Sequence, residues 1–144
     1  MTDQELIAAA RAAALKAYAP YSRFSVGCAV ESVDGEVVTG ANMENACYRL
    51  GVCAELAALT AAQAAFGLEH VARVAVAGGD SSGLSLTGGS PVTPCGGCRQ
   101  AILEAAQVGG RDIAVICASG DGERVEVHSI GELIPFGFGP EALR

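Results

Sequence analysis

Two short segments of this sequence hold residues that can do chemistry together. One is Cys53-Ala54-Glu55, and the other is Pro94-Cys95-Gly96-Gly97-Cys98-Arg99, which begins 41 positions later. Cys95 and Cys98 are three apart, a turn spacing that lets two sulfurs converge on one tetrahedral metal. Gly96 and Gly97 free the backbone between them to bend and to turn its N–H groups inward. Both segments sit where a helix is predicted to begin. The partial positive charge of a helix N-terminus favours thiolate over thiol by about 1 kcal/mol. Cys53, opening one helix, can add a third sulfur to the pair that opens the other. Three sulfurs leave one position of a zinc ion open, which separates a catalytic zinc from a structural one. Glu55 need not be a ligand. A carboxylate beside a metal site can take a proton from water and return it elsewhere.

The same residues admit plainer readings. Cys95-Gly96-Gly97-Cys98 alone fits a dithiol redox pair, although that motif ordinarily follows an early strand and here lies late in the chain. A closed structural zinc site needs a fourth ligand, and Cys47 is the nearest spare thiol. Cys28 and Cys117 lie in predicted strands and read as small core residues. His70 and His128 stand alone, without a motif. The Gly-rich stretch 78–89 lacks the Gly-Lys-Ser/Thr ending of a phosphate loop, and Gly137-Phe138-Gly139 lacks a third glycine.

The elements that must position these residues follow from periodicity. Asp3 to Tyr18 reads as an Ala-rich helix, with Thr2 and Glu5 as a capping box and Pro20 as the stop. Phe24 to Ser32 and Val37 to Gly40 read as strands joined at the tight turn Asp34-Gly35. Cys53 to Phe66 is a second helix, with Gly67 at its end. Val71 to Ala77 is a strand, and Gly78 to Ser90 a loop. Cys95 to Val108 is a third helix, opened by Pro94 and closed by Gly109-Gly110. Ile113 to Ala118 and Val125 to His128 are strands around the turn Asp121-Gly122, and Ile130 to Ile134 is a short helix. Helices between strands imply parallel crossovers, and the hairpins imply antiparallel pairs. The predicted fold is α/β, a three-layer α/β/α arrangement with a five-stranded mixed sheet and helices on both faces. With no linker and no repeat, residues 1–144 read as one domain.

Composition sets the class of partner. The 144 residues are 51% apolar and 17% charged, as in a packed globular protein. Sixteen acidic against nine basic side chains give a net charge of −7, the wrong sign for neutralising backbone phosphates, so no nucleic acid is expected as a partner. No run approaches the ~20 apolar residues of a membrane helix, and the acidic start shows no leader. The expectation is a cytoplasmic protein whose thiols are reduced.

Cys53-Ala54-Glu55 followed by Pro94-Cys95-Gly96-Gly97-Cys98 resembles the zinc-deaminase signature in its three-cysteine form. Three further segments resemble the small homotetrameric cytidine deaminases: 18–27 (Tyr-Ala-Pro-Tyr-Ser-Arg-Phe-Ser-Val-Gly), Asn42-Met43-Glu44-Asn45-Ala46-Cys47-Tyr48, and Glu132-Leu133-Ile134-Pro135 with Phe138. The resemblance covers nearly the whole chain. It implies one zinc per subunit on Cys53, Cys95 and Cys98, with Glu55 moving protons. It implies Asn42 and Glu44 on the ribose, Phe24 stacked on the base, and the backbone at Ala54 and near Thr93 at the base's polar edge. Tyr48 and Phe138 would reach pockets of neighbouring subunits, with Phe136 competing for the role of Phe138. The implied reaction is hydrolysis of cytidine or deoxycytidine to uridine or deoxyuridine and ammonia, a step of pyrimidine salvage. A flat base suits an aromatic face, and a carboxylate with an amide can both accept from and donate to sugar hydroxyls. The Asp121-Gly122 hairpin stands where nucleotide and polynucleotide deaminases tend to place a helix.

One position departs from the pattern. The residue after Glu55 is often Arg in three-cysteine enzymes, and here it is Leu56. Three thiolates on Zn²⁺ already sum to −1, and added negative charge opposes deprotonation of a bound water. The helix N-termini, with Arg99 or Arg49, would then have to offset that charge. Leu at this position also resembles the blasticidin S deaminases, which lack the Asn-x-Glu segment present here as Asn42 and Glu44. Another aminopyrimidine nucleoside stays open as substrate, as does a non-catalytic zinc module.

Overall fold

The computed structural model describes residues 1–83 and 85–144. Leu84, within the stretch expected to be a loop, lies outside the described residues. The elements run α1 (Asp3–Ala14), β1 (Phe24–Ser32), β2 (Val37–Ala41), α2 (Ala54–Ala65), β3 (Val71–Asp80), α3 (Gly96–Gly109), β4 (Ala114–Ser119), β5 (Val125–Ser129) and α4 (Ile130–Leu133). The five strands form one sheet in the order β2-β1-β3-β4-β5. β1 pairs antiparallel with both β2 and β3, β3 pairs parallel with β4, and β4 pairs antiparallel with β5. The mixed sheet predicted from the order of elements is therefore present. Gly35 (φ 89°) and Gly122 (φ 77°) sit at the two hairpin turns, where a left-handed backbone suits glycine.

Side-chain size alternates along the central strands and assigns each face its helices. Cys28 and Val30, Val74 and Val76, Val115 and Cys117 join one core with α2 and α3. Their neighbours Ala29, Ala75, Ala77 and Ala118, with Ile116, join a second core with Leu6, Ile7 and Ala10 of α1. Strands buried on both faces read as near-continuous apolar runs, and that is how β1, β3 and β4 read. The small-residue face lets α1 lie close. A Cβ on Gly27 would stand 1.9 Å from the Ala10 carbonyl oxygen. On the other face a Cβ on Gly40 would stand 2.5 Å from the Ala58 nitrogen, so α2 likewise lies too close to β2 for any side chain there.

Two boundaries differ from the sequence expectation. α1 ends at Ala14, well before Pro20. The chain leaves the helix because Tyr18 pairs with the segment after β2: its amide donates to the Asn42 carbonyl at 3.0 Å, and its carbonyl accepts from the Glu44 amide at 2.8 Å. β3 runs on to Asp80, through glycines expected in a loop, because Gly78, Gly79 and Asp80 pair with Val26, Ser25 and Phe24. Both differences join the 18–27 segment to its surroundings. Among the described residues no helix is long and apolar enough to cross a membrane.

Candidate active site

α2 and α3 pack on the same sheet face, and their N-termini meet. Cys53 is the residue that caps α2, Cys95 caps α3, and Cys98 lies in the first turn of α3. The three sulfurs lie within 4.8 Å of one another, the only such group of three possible metal ligands among the described residues. Neither capping cysteine makes a side-chain cap hydrogen bond. α1 and α4, in contrast, each carry a full capping box, Thr2 with Glu5 and Ser129 with Glu132. The helices at the site leave their sulfurs free of the job that Thr2 and Ser129 perform. Three convergent soft donors at this separation suit a tetrahedral zinc with one open position. Cys47, the spare thiol that a closed site would need, is exposed and stands outside the group.

The electrostatics separate the three thiols. The nearby backbone amides of Cys98 and Gly97, though they form no cap hydrogen bond with it, pull the Cys95 thiol down. Burial pushes the Cys98 thiol up, and the nearby Glu55 carboxylate adds to the rise. Burial also raises Cys53. A cluster of this kind cannot hold three negative charges without a cation among them, which is the electrostatic case for a metal here. Glu55, in the first turn of α2, is only 5% exposed. Burial raises its pKa, partly opposed by its own backbone amide and by the Cys98 thiol.

A cavity of about 320 Å³ opens over the sulfurs. Cys53, Cys95 and Glu55 line it, with Ala54 and Thr93. Phe24, Val26 and Asn42 line it too. Asn42 is fixed by its neighbours on β1: its Oδ1 accepts from the Val26 amide at 2.9 Å, and its Nδ2 donates to the Phe24 carbonyl at 3.0 Å. One N–H and one lone pair of that amide group remain for a ligand.

Glu44 lies at the rim. It lines an adjoining hollow of about 410 Å³ with Tyr21, Asn45 and Tyr48, and Ser22 lines both spaces. Of these two spaces, the smaller is the one lined by Cys53, Cys95 and Glu55. Tyr48 is 79% exposed and stands edge-on to Tyr21, with ring centroids 5.8 Å apart. Phe138 is 63% exposed, its carbonyl held by Gln100 at 2.7 Å, and it does not line its own chain's cavity.

One residue at the site received no role from the sequence, and another, Arg99, expected to offset the charge of the thiolates, is tied to backbone carbonyls. Ser22 bonds the Glu44 carboxylate and the Phe24 amide. Arg99 donates to the Pro94 carbonyl at 2.8 Å and to the Leu133 carbonyl at 2.9 Å. Those bonds fasten the turn before Cys95 to the end of α4. Ser22 carried a faint signal, since a serine two residues before a strand start readily forms a local turn, but Arg99 needed the fold. Leu56 lines a shallow hollow beside α2 with Leu59, Ala101 and Glu104, away from the sulfur cavity.

Comparison with known proteins agrees with this geometry. Residues 1–110 match the model of the cytidine and deoxycytidylate deaminase zinc-binding region. A cytidine deaminase of Mycobacterium tuberculosis is 39% identical over 131 residues, covering 91% of this chain and 85% of that protein. One from Halalkalibacterium halodurans is 39% identical over 141 residues, covering 98% of this chain and 97% of that protein. The crystal structure of cytidine deaminase from Burkholderia pseudomallei superposes with a TM-score of 0.81 at 42% identity, covering 96% of this chain and all of that one. Signature, fold and sulfur geometry lead to one assignment: this chain belongs to the cytidine and deoxycytidylate deaminase zinc-binding family.

Proposed function

We propose that this protein is a zinc-dependent hydrolase that converts cytidine and deoxycytidine to uridine and deoxyuridine with release of ammonia. The observation that carries the reading is a buried carboxylate, Glu55, lining the same cavity as Cys53 and Cys95. Cys53, Cys95 and Cys98 would hold the zinc. Bound there, zinc supplies Lewis-acid activation of a water molecule.

Glu55 carries the proton. It takes one from the water and gives it to ring nitrogen N3 as the C4–O bond forms. It then takes the second proton of the same water and gives it to the amino group as the C4–N bond breaks. Ammonia leaves, N3 keeps its hydrogen, and Glu55 is again a carboxylate. Its burial brings its proton affinity toward neutrality, as such a shuttle needs. Phe24 offers its ring to the base, and the uncapped amides at the start of α2, at Ala54, suit the polar edge of the base. Asn42 and Glu44 serve the sugar hydroxyls.

The whole chain 1–144 acts as one domain, since both cores close on a single sheet. We also read the protein as a homotetramer with shared sites. Tyr48 and Phe138 are large, exposed and without work in their own chain's cavity.

An ultraviolet assay of cytidine conversion, with zinc measured in the same sample, tests the reading. About one zinc per chain and steady uridine formation are expected. Glu55→Gln should retain zinc and lose about 10²–10⁴-fold in kcat. Full activity in that variant overturns the assignment.

A further inference from the structure

Ser22 stands between two of the side chains assigned to the substrate. Its hydroxyl donates to Glu44 Oε2 and accepts from the Phe24 amide at 3.0 Å. The amides of Tyr21 and Ser22 donate to Glu44 Oε1 at 2.9 and 3.2 Å. Oε1 thus receives two donors and Oε2 one. A carboxylate has about four acceptor positions, so one position on Oε2 is left. The Ser22 hydroxyl, together with the two amides, also holds the Glu44 carboxyl below its ordinary value. At neutral pH the group is ionised and can only accept.

The turn that presents Ser22 is an unusual one. Arg23 adopts φ 57°, a left-handed conformation that a non-glycine residue keeps only where its surroundings enforce it. The Arg23 amide bonds the Ala19 carbonyl at 2.9 Å, and the Glu44 carboxylate gathers the two amides just before it. Turn and carboxylate therefore fix each other, with the Ser22 hydroxyl as the link on the side shared by cavity and hollow.

We propose that Ser22 is a positioning residue for sugar recognition: its hydroxyl orients Glu44 so that the last acceptor position of Oε2 meets a sugar hydroxyl that cytidine and deoxycytidine share, which the 3′-deoxy analogue probes. The proposal rests on the assignment of Glu44 to the sugar.

The test compares kcat/KM for cytidine and 3′-deoxycytidine in wild type, Ser22→Ala and Ser22→Thr. Any disturbance of Phe24 falls on both nucleosides alike and divides out of their ratio. Wild type should prefer cytidine. In Ser22→Ala that preference should fall about tenfold, as expected for losing a hydrogen bond to a charged group, with the change in the KM for cytidine and with kcat nearly kept. Ser22→Thr, which retains the hydroxyl, should restore the preference. Ser22→Cys keeps the shape with a weak donor and gives the same readout if the alanine variant does not fold. An unchanged preference in a folded, zinc-loaded Ala or Cys variant overturns the role of Ser22. A wild type that treats the two nucleosides alike removes the Glu44 assignment itself, and the proposal with it.

Discussion

Glu55 and Glu31 are both carboxylates withdrawn from water, and what meets their charge sets them apart. Burial pushes Glu55 up, because no cationic side chain is paired with it. Burial would push Glu31 up too, but the Met1 ammonium at 2.9 Å and the Arg73 guanidinium outweigh it and bring its pKa down. A carboxylate lowered in the folded state stabilises the fold fully above its unfolded value, near 4.5, and that stabilisation is lost as pH falls through the folded value. Glu31→Gln should therefore flatten the fall in stability as pH drops below about 5. It should also cost about 1–2 kcal/mol at neutral pH. Denaturant unfolding at a series of pH values measures both. The grouping of the three sulfurs with Glu55 was legible because its information is local. Cys53 with Glu55, and Cys95 with Cys98, lie within a single helical turn, and helix starts are marked in sequence. Ser22 was not legible, because its role depends on a turn held together by Glu44 from a distant segment.

At the scale of elements, the succession of helices and strands and the two hairpins followed from turn residues and periodicity; the order of strands in the sheet and the ends of elements did not. The end of α1 is decided by Tyr18 pairing with Asn42 and Glu44, and the end of β3 by pairing with Phe24 to Val26. Both are long-range backbone pairings, which no local pattern contains. The tie between α3 and α4 is of the same kind. Arg99 reaches from the first turn of α3 to the carbonyls of Pro94 and Leu133. Arg99→Met keeps much of the side-chain bulk and removes both bonds, so it should destabilise the protein by about 1–3 kcal/mol. Because Pro94 adjoins Cys95, zinc should also pass faster to a chelator in this variant. A lowered unfolding midpoint with unchanged zinc release would show that Arg99 serves the tail alone.

At the scale of the whole molecule, the aromatic residues without work in their own cavity give the sharpest test. If Phe138 completes a neighbour's site, Phe138→Ala and Glu55→Gln are defects in different halves of one shared pocket. Chains carrying each, expressed together, should assemble pockets in which Glu55 and Phe138 are both intact. Activity of the mixed product above the sum of the separate variants is expected, and simple additivity would mean that each chain works alone. The cap pattern reaches equally far. α1 and α4 begin on hydroxyls that tie down their own first amides, whereas α2 and α3 begin on cysteines that make no cap hydrogen bond. A cation gripping those sulfurs therefore acts as a rivet through two helix starts at once. Its removal should loosen the first turns of α2 and α3, while α1, packed on the alanine face, keeps its protection from amide hydrogen exchange.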